Sequence, residues 1–216
     1  MKKFSQTTLP LAATAALLAS AVSVQAALYA TPIDNADFED QLGTDVGSGV
    51  GNFATSMDSW FEGTNLNGGT FIQWEDSNTN VPADADGEVW GGLGFHGDTD
   101  PDTPGSLYED IGTNEDNLAL TIEFDVGGRS NKLLQDLVVS IYSGNVTGAD
   151  GSTLTGLGAT LLDSATFTST DFFADDSIGS TQTLSDFSVN LNTGTGGTIG
   201  DTLWLEFRSD YVTGVD

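Results

Sequence analysis

The pattern of apolar and polar positions is most regular between residues 118 and 126. Leu118, Leu120, Ile122, Phe124 and Val126 fall on one face, and Thr121, Glu123 and Asp125 on the other. Side chains alternate across a sheet, so this two-residue period predicts an antiparallel strand with one buried face. Asp201 to Arg208 repeats the pattern, with Leu203, Leu205 and Phe207 inward and Trp204, Glu206 and Arg208 outward. Phe187, Val189 and Leu191 alternate inward within a strand at 183–191. Leu137 to Tyr142 is almost continuously apolar and predicts a strand that is central or buried on both faces. Further strands are expected at 70–75, 88–95, 106–111 and 159–167, each set off by clusters of Gly, Asn, Asp, Ser or Thr. Residues 41–59 read as a connection that ends at Trp60-Phe61, and 145–158 and 192–200 as turn regions. After residue 27 no run of ten or more residues keeps a helical stripe.

Eight or nine short strands without a fixed-period repeat predict an all-β domain of two packed antiparallel sheets, a jelly-roll sandwich. An open barrel is the alternative. A β-helix would need a regular coil repeat, which the chain lacks.

The first 26 residues have a different pattern. Lys2 and Lys3 precede an uncharged Ala- and Leu-rich run from Leu9 to Val22, and Val24-Gln25-Ala26 offers small residues for cleavage. This is a secretory signal in composition, and it leaves residues 27–216 as a single mature domain. The apolar run is too short and Ala-rich to span a bilayer comfortably, so no membrane insertion is expected after cleavage. With no cysteine, lipoprotein anchoring and disulfides are both excluded.

Charge narrows the partners. The chain carries 32 acidic against 5 basic residues, a net −27, and loss of Lys2 and Lys3 makes it −29. Such a surface repels nucleic acid and anionic lipid. Acidity of this kind suits a salty exterior or binding of divalent cations.

The clearest cation-binding spacing is Asp98, Asp100 and Asp102 followed by Glu109, at positions 1, 3, 5 and 12 of a calcium loop. The sixth position, normally Gly, is Thr103, and Pro101 and Pro104 stiffen the run, so a solvated acidic loop competes with calcium here. Asp84, Asp86 and Glu88 form a weaker set. For sugars, which pack their C–H faces on rings, the candidate platforms are Trp204, Trp74, Trp90 and Tyr108. Trp204 is the sharpest, because alternation sets it opposite Leu203 and Leu205. Core packing is the competing role for every tryptophan, and Trp60 is assigned to it.

Catalytic signatures are missing. The one histidine, His96, lies in a Gly/Asp loop, and no Gly-x-Ser-x-Gly elbow accompanies it. Zinc lacks ligands, and phosphate-cradling loops lack their lysine. Pairs of carboxylates are too numerous to single one out for glycoside hydrolysis.

Asn35-Ala36-Asp37-Phe38-Glu39, at the start of the mature chain, resembles the opening strand of galactose-binding-like jelly-roll domains. These include carbohydrate-binding modules and exported bacterial proteins with a PEP-CTERM sorting tail. Trp60 after its Gly-rich loop, Leu107-Tyr108-Glu109-Asp110-Ile111 and Phe124-Asp125-Val126-Gly127-Gly128-Arg129 are similar to further family motifs. Leu137 to Gly144 and Asp201 to Phe207 resemble its later strands. The resemblance implies a jelly roll, export, carbohydrate contact and a structural calcium beside the opening strand, with Glu39 as a ligand. Family members usually continue into a strand with Asp-Asn-Val and, when exported, a Pro-Glu-Pro tail. Here Ser209-Asp210-Tyr211 is followed only by residues to Asp216, so a truncated chain or a member lacking that strand is expected. The calcium's C-terminal ligand would go with that strand.

These readings converge on an exported non-catalytic protein of the cell surface or extracellular matrix that contacts polysaccharide. A polysaccharide-degrading enzyme of the same architecture and a purely structural envelope component are the alternatives.

Overall fold

A computed structural model describes residues 53–54, 59–63, 70–74, 89–93, 105–126, 136–149, 151–168, 171 and 185–210. The expected opening strand at 33–40 lies outside them. The strands are β1 (Phe53–Ala54), β2 (Trp60–Glu62), β3 (Thr70–Trp74), β4 (Val89–Leu93), β5 (Ser106–Thr113), β6 (Ala119–Val126), β7 (Asp136–Ser143), β8 (Thr160–Phe167), β9 (Ser185–Asn192) and β10 (Thr202–Asp210). One short helix, α1 (Leu154–Leu157), precedes β8.

The protein is an all-β antiparallel sandwich. Its main sheet has the order β2-β5-β10-β7-β8, and β6 and β9 pair as a second layer. Three strand pairs are nested in the chain: β7 with β8, β6 with β9 outside them, and β5 with β10 outermost. This is one long hairpin ribbon. It is wrapped so that β10 also pairs with β7, the topology of a jelly roll. A third sheet, β1-β3-β4, is separate in its pairing. Among the described residues no helix is long and apolar enough to cross a membrane.

The two layers close over an aliphatic core. Leu120 and Ile122 of β6 and Val189 and Leu191 of β9 pack on Val139 and Ile141 of β7, Leu203 and Leu205 of β10, and Ile111 of β5. Each such side chain contributes about 1.5–3 kcal/mol on burial. A hem of rings extends the core: Phe124 meets Phe187 at 5.8 Å and Phe207 at 5.3 Å, and Trp60 meets Phe207 at 6.1 Å.

Two bulges bend the main sheet. Between Leu203 and Trp204 the register against β5 shifts from Gly112 to Asp110, leaving Ile111 as the extra residue. Gly112 has φ +124°, where a side chain would be strained, and its N–H donates to Asp110 Oδ1 at 2.8 Å. The second shift, between Ile141 and Tyr142, leaves Leu162 of β8 unpaired. Asp163 beside it accepts hydrogen bonds from the backbone N–H of Ser164 at 2.9 Å and of Asn192 at 2.8 Å. One carboxylate thus ties an edge of the main sheet to the second layer.

The main sheet is also covered on its other face, by residues 144–149 and 151–159. Thr153 caps α1 by accepting from Gly156 N–H at 2.9 Å, and Gly158 ends it in the left-handed region at φ 101°. Four residues of helix leave no stripe to read in the sequence. The helix serves to drive Leu154 into a cluster with Tyr108, Tyr142, Ala159 and Trp204.

Candidate functional site

Directly paired residues in an antiparallel sheet share a face, so register assigns each side of the main sheet. Leu205 pairs with Glu109 and Ile141, and Phe207 with Leu107 and Val139; these face the second layer. Trp204 pairs with Asp110 and Tyr142, and Glu206 with Tyr108 and Ser140; these face away from it. Alternation along β10 is as expected, yet its outer face is not exposed.

Trp204 and Tyr108, expected as sugar platforms, are interior residues, at 4% and 0% exposure. Phe61 stacks on Tyr108 at 5.5 Å, and Trp204 meets both rings edge-on, at 5.8 Å from Tyr108 and 6.2 Å from Phe61. The Trp204 indole N–H donates to the Gly144 carbonyl at 3.0 Å. Tyr108 Oη donates to the Ala149 carbonyl at 2.9 Å and accepts from the Ala149 N–H at 3.0 Å. Gly148 lies so close to Phe61 that a Cβ there would sit 2.4 Å from the ring. The cause of the correction lies in 145–158: a stretch read as a turn region folds back and, with Gly144 and Ala159, covers the outer face. Trp60 packs as expected, buried on the inner face.

Below these rings the same face carries a polar group of residues. Tyr142 Oη donates to Glu206 Oε2 at 2.9 Å, and both residues are buried, as is Ser140. Burial is the main cause that pushes the Tyr142 phenol up to about 12; the Glu206 carboxylate adds to it, while Arg208 and Ser140 act the other way. Chemically this is a carboxylate held by a phenol that stays protonated, with a half-buried guanidinium nearby. It can lock β7 to β10. Sequence reading assigned Glu206 to solvent. The signal against that was the continuous apolar run of β7, its sheet neighbour, because a sheet covered on both faces covers every strand in it.

The metal-binding expectations divide. Glu109 sits within β5, between Trp60 of β2 and Leu205 of β10, on the inner face and 2% exposed. It is therefore a strand residue inside the sandwich, not the end of an exposed loop. Asp98, Asp100, Asp102 and Glu39 lie outside the described residues, as do Asp84, Asp86 and His96. Among the described residues no three of His, Cys, Asp and Glu are grouped to hold a metal. Trp74 and Trp90 are placed by backbone register alone: Trp74 pairs with Val89, and Trp90 with Gln73.

The exposed outer face of β6 and β9 was expected from alternation and is found. Thr121 Oγ1 donates to Asn190 Oδ1 at 2.8 Å, Glu123 is opposite Ser188, and Asp125 is opposite Asp186. Two carboxylates directly across a ladder repel, which keeps this face hydrated and acceptor-rich.

No family model and no curated protein matches the chain. Among solved structures it is similar to the enzymatically active domain of bacteriophage CBA120 tailspike protein 4, with 12% sequence identity and a TM-score of 0.39. That likeness covers 72% of this chain and 18% of the tailspike chain.

Proposed function

We propose that this is an exported, non-catalytic jelly-roll protein of the cell surface or extracellular matrix, and that it contacts polysaccharide through the β1-β3-β4 sheet. Export rests on the signal-like first 26 residues, and family placement on the resemblance to galactose-binding-like domains of PEP-CTERM-type proteins. The observation that carries the choice of surface is the burial of Trp204 and Tyr108. Their rings serve the interior, which leaves the platform role to Trp90, which shares a face with its pair partner Gln73, or to Trp74, which pairs with Val89 on the opposite face. Gly92, two residues beyond Trp90 on β4 and on the same face, leaves room for a ring of the ligand to approach. Calcium enters as a structural aid through Asp98, Asp100 and Asp102. The acidity predicts a preference for neutral glycans, since anionic ones are repelled unless a divalent cation bridges them.

Affinity electrophoresis through gels containing neutral or acidic polysaccharide, with and without calcium, tests this. A neutral glycan should retard the protein, and either Trp90→Ala or Trp74→Ala, which lie on opposite faces of the sheet, should remove most of the retardation. Loss of about 1–3 kcal/mol per ring corresponds to roughly 5- to 150-fold in affinity. No retardation by any polysaccharide in either condition removes the sugar-binding half and leaves a structural component. Release of reducing ends from a retarding glycan would favour the hydrolytic alternative.

A further inference from the structure

The register of the β1-β3-β4 sheet sorts its residues onto two faces, because directly paired residues share a side and neighbours along a strand do not. Phe53 pairs with Gln73, and Gln73 with Trp90, so these three form one row across all three strands. Phe71 and its partner Gly92 lie on the same face, each two residues along from that row. The opposite face holds Ala54, Ile72, Trp74, Val89 and Leu93, with Thr70 at the start of β3. β4 also runs close to β5 and β10 of the main sheet, which sets the small sheet against the sandwich. A sheet laid on a sandwich buries one face. The second face suits burial, since its apolar residues need no hydrogen-bond partners. The first does not. Gln73 brings two donors and an acceptor into the central strand, and its row neighbours are a phenylalanine, which offers no partner, and a tryptophan, which offers one donor.

We propose that the face carrying Phe53, Gln73 and Trp90 is the open one, and that it binds an extended, neutral polysaccharide chain lying across the strands. This rests on the polysaccharide reading and makes Trp90, not Trp74, the platform. Aromatics gathered on an open face mark a binding surface. Its chemistry selects the occupant. Phe53, Phe71, Gln73, Trp90 and Gly92 carry no charge, in a chain with 32 acids, so a neutral ligand fits here. Neighbouring strands lie about 4.8 Å apart, which puts Phe53 and Trp90 about 9–10 Å from each other with Gln73 between them. Such a row offers rings to the C–H faces of successive sugar units and an amide to their hydroxyls. An extended chain meets both ends of the row at once, and a coiled one meets a single ring.

Mild oxidation of the full chain with N-bromosuccinimide, mapped by mass spectrometry, should modify Trp90 before Trp74, and hydroxyethylcellulose should slow the reaction at Trp90. In affinity gels containing hydroxyethylcellulose, Trp90→Ala should weaken binding about tenfold or more, and Phe53→Ala and Gln73→Leu each about fivefold to tenfold. Trp74→Phe should bind as the wild type does. Oxidation of Trp74 first, or loss of binding in Trp74→Phe alone, overturns the choice of face. Retardation by soluble starch, a coiled neutral chain, but not by hydroxyethylcellulose overturns the extended ligand and leaves the polysaccharide reading standing. A wild type that no polysaccharide retards removes both.

Discussion

Tyr142 and Glu206 show how much of a side chain's role is set by what covers it. Because burial and Glu206 both favour the neutral phenol, Tyr142 titrates higher in the folded protein than in the unfolded chain, about 12 against 10. Between those values the native state holds the proton that the unfolded state has lost. Stability is therefore fully present below pH 10 and falls as pH rises toward 12. Denaturant midpoints taken from pH 9 to 12 should drop for the wild type and drop less steeply for Tyr142→Phe. At neutral pH the same variant leaves the buried Glu206 short of a donor and should lose about 1–3 kcal/mol. Gly148 makes a second residue-scale test. Its contact with Phe61 leaves no room for a methyl group, so Gly148→Ala should cost about 1–3 kcal/mol by overpacking, read as a lower urea midpoint at constant slope.

At the scale of elements, α1 and the loop around it decide which face of the main sheet is interior. Leu154 is its plug, and nothing in the helix's four residues would hold it helical without that contact. Leu154→Ala should cost about 2–5 kcal/mol and leave a cavity under Trp204. Tryptophan fluorescence should shift to the red as water reaches the indole, before the sheet itself unfolds. The strands were legible because each carries its own period: β6, β9 and β10 alternate, and β7 is apolar throughout. The bulges and α1 were not. A bulge is a register event between two strands, and neither sequence alone records the mismatch. Trp60-Phe61, read as the end of a connection, is strand β2, held by its pairing with β5 and not by its own propensity.

For the whole molecule, net charge is the dominant long-range term. A formal −27 in one small sandwich means that like charges repel more strongly when folded than when spread along an unfolded chain. Raising sodium chloride from about 10 mM to about 500 mM shortens the screening length to a few Å, so the thermal midpoint should rise. Potassium chloride at equal ionic strength should match it, whereas calcium should exceed both at equal ionic strength if Asp98, Asp100 and Asp102 bind it. The exposed Asp125–Asp186 pair contributes to this repulsion, and Asp186→Asn should reduce the salt dependence slightly.

What the sequence determined by itself was local: the strand periods, the turn chemistry between them, the signal-like start and the sign of the charge. Each follows from neighbouring residues, because alternation, backbone restriction and formal charge need no distant partner. The tertiary structure decided that β10 and most of β5 are buried on both faces. Trp204 and Tyr108 point away from the second layer, yet a segment some forty to sixty residues away in sequence covers them. Burial is a property of the folded ensemble of contacts, and one strand's sequence records only the direction in which a side chain points.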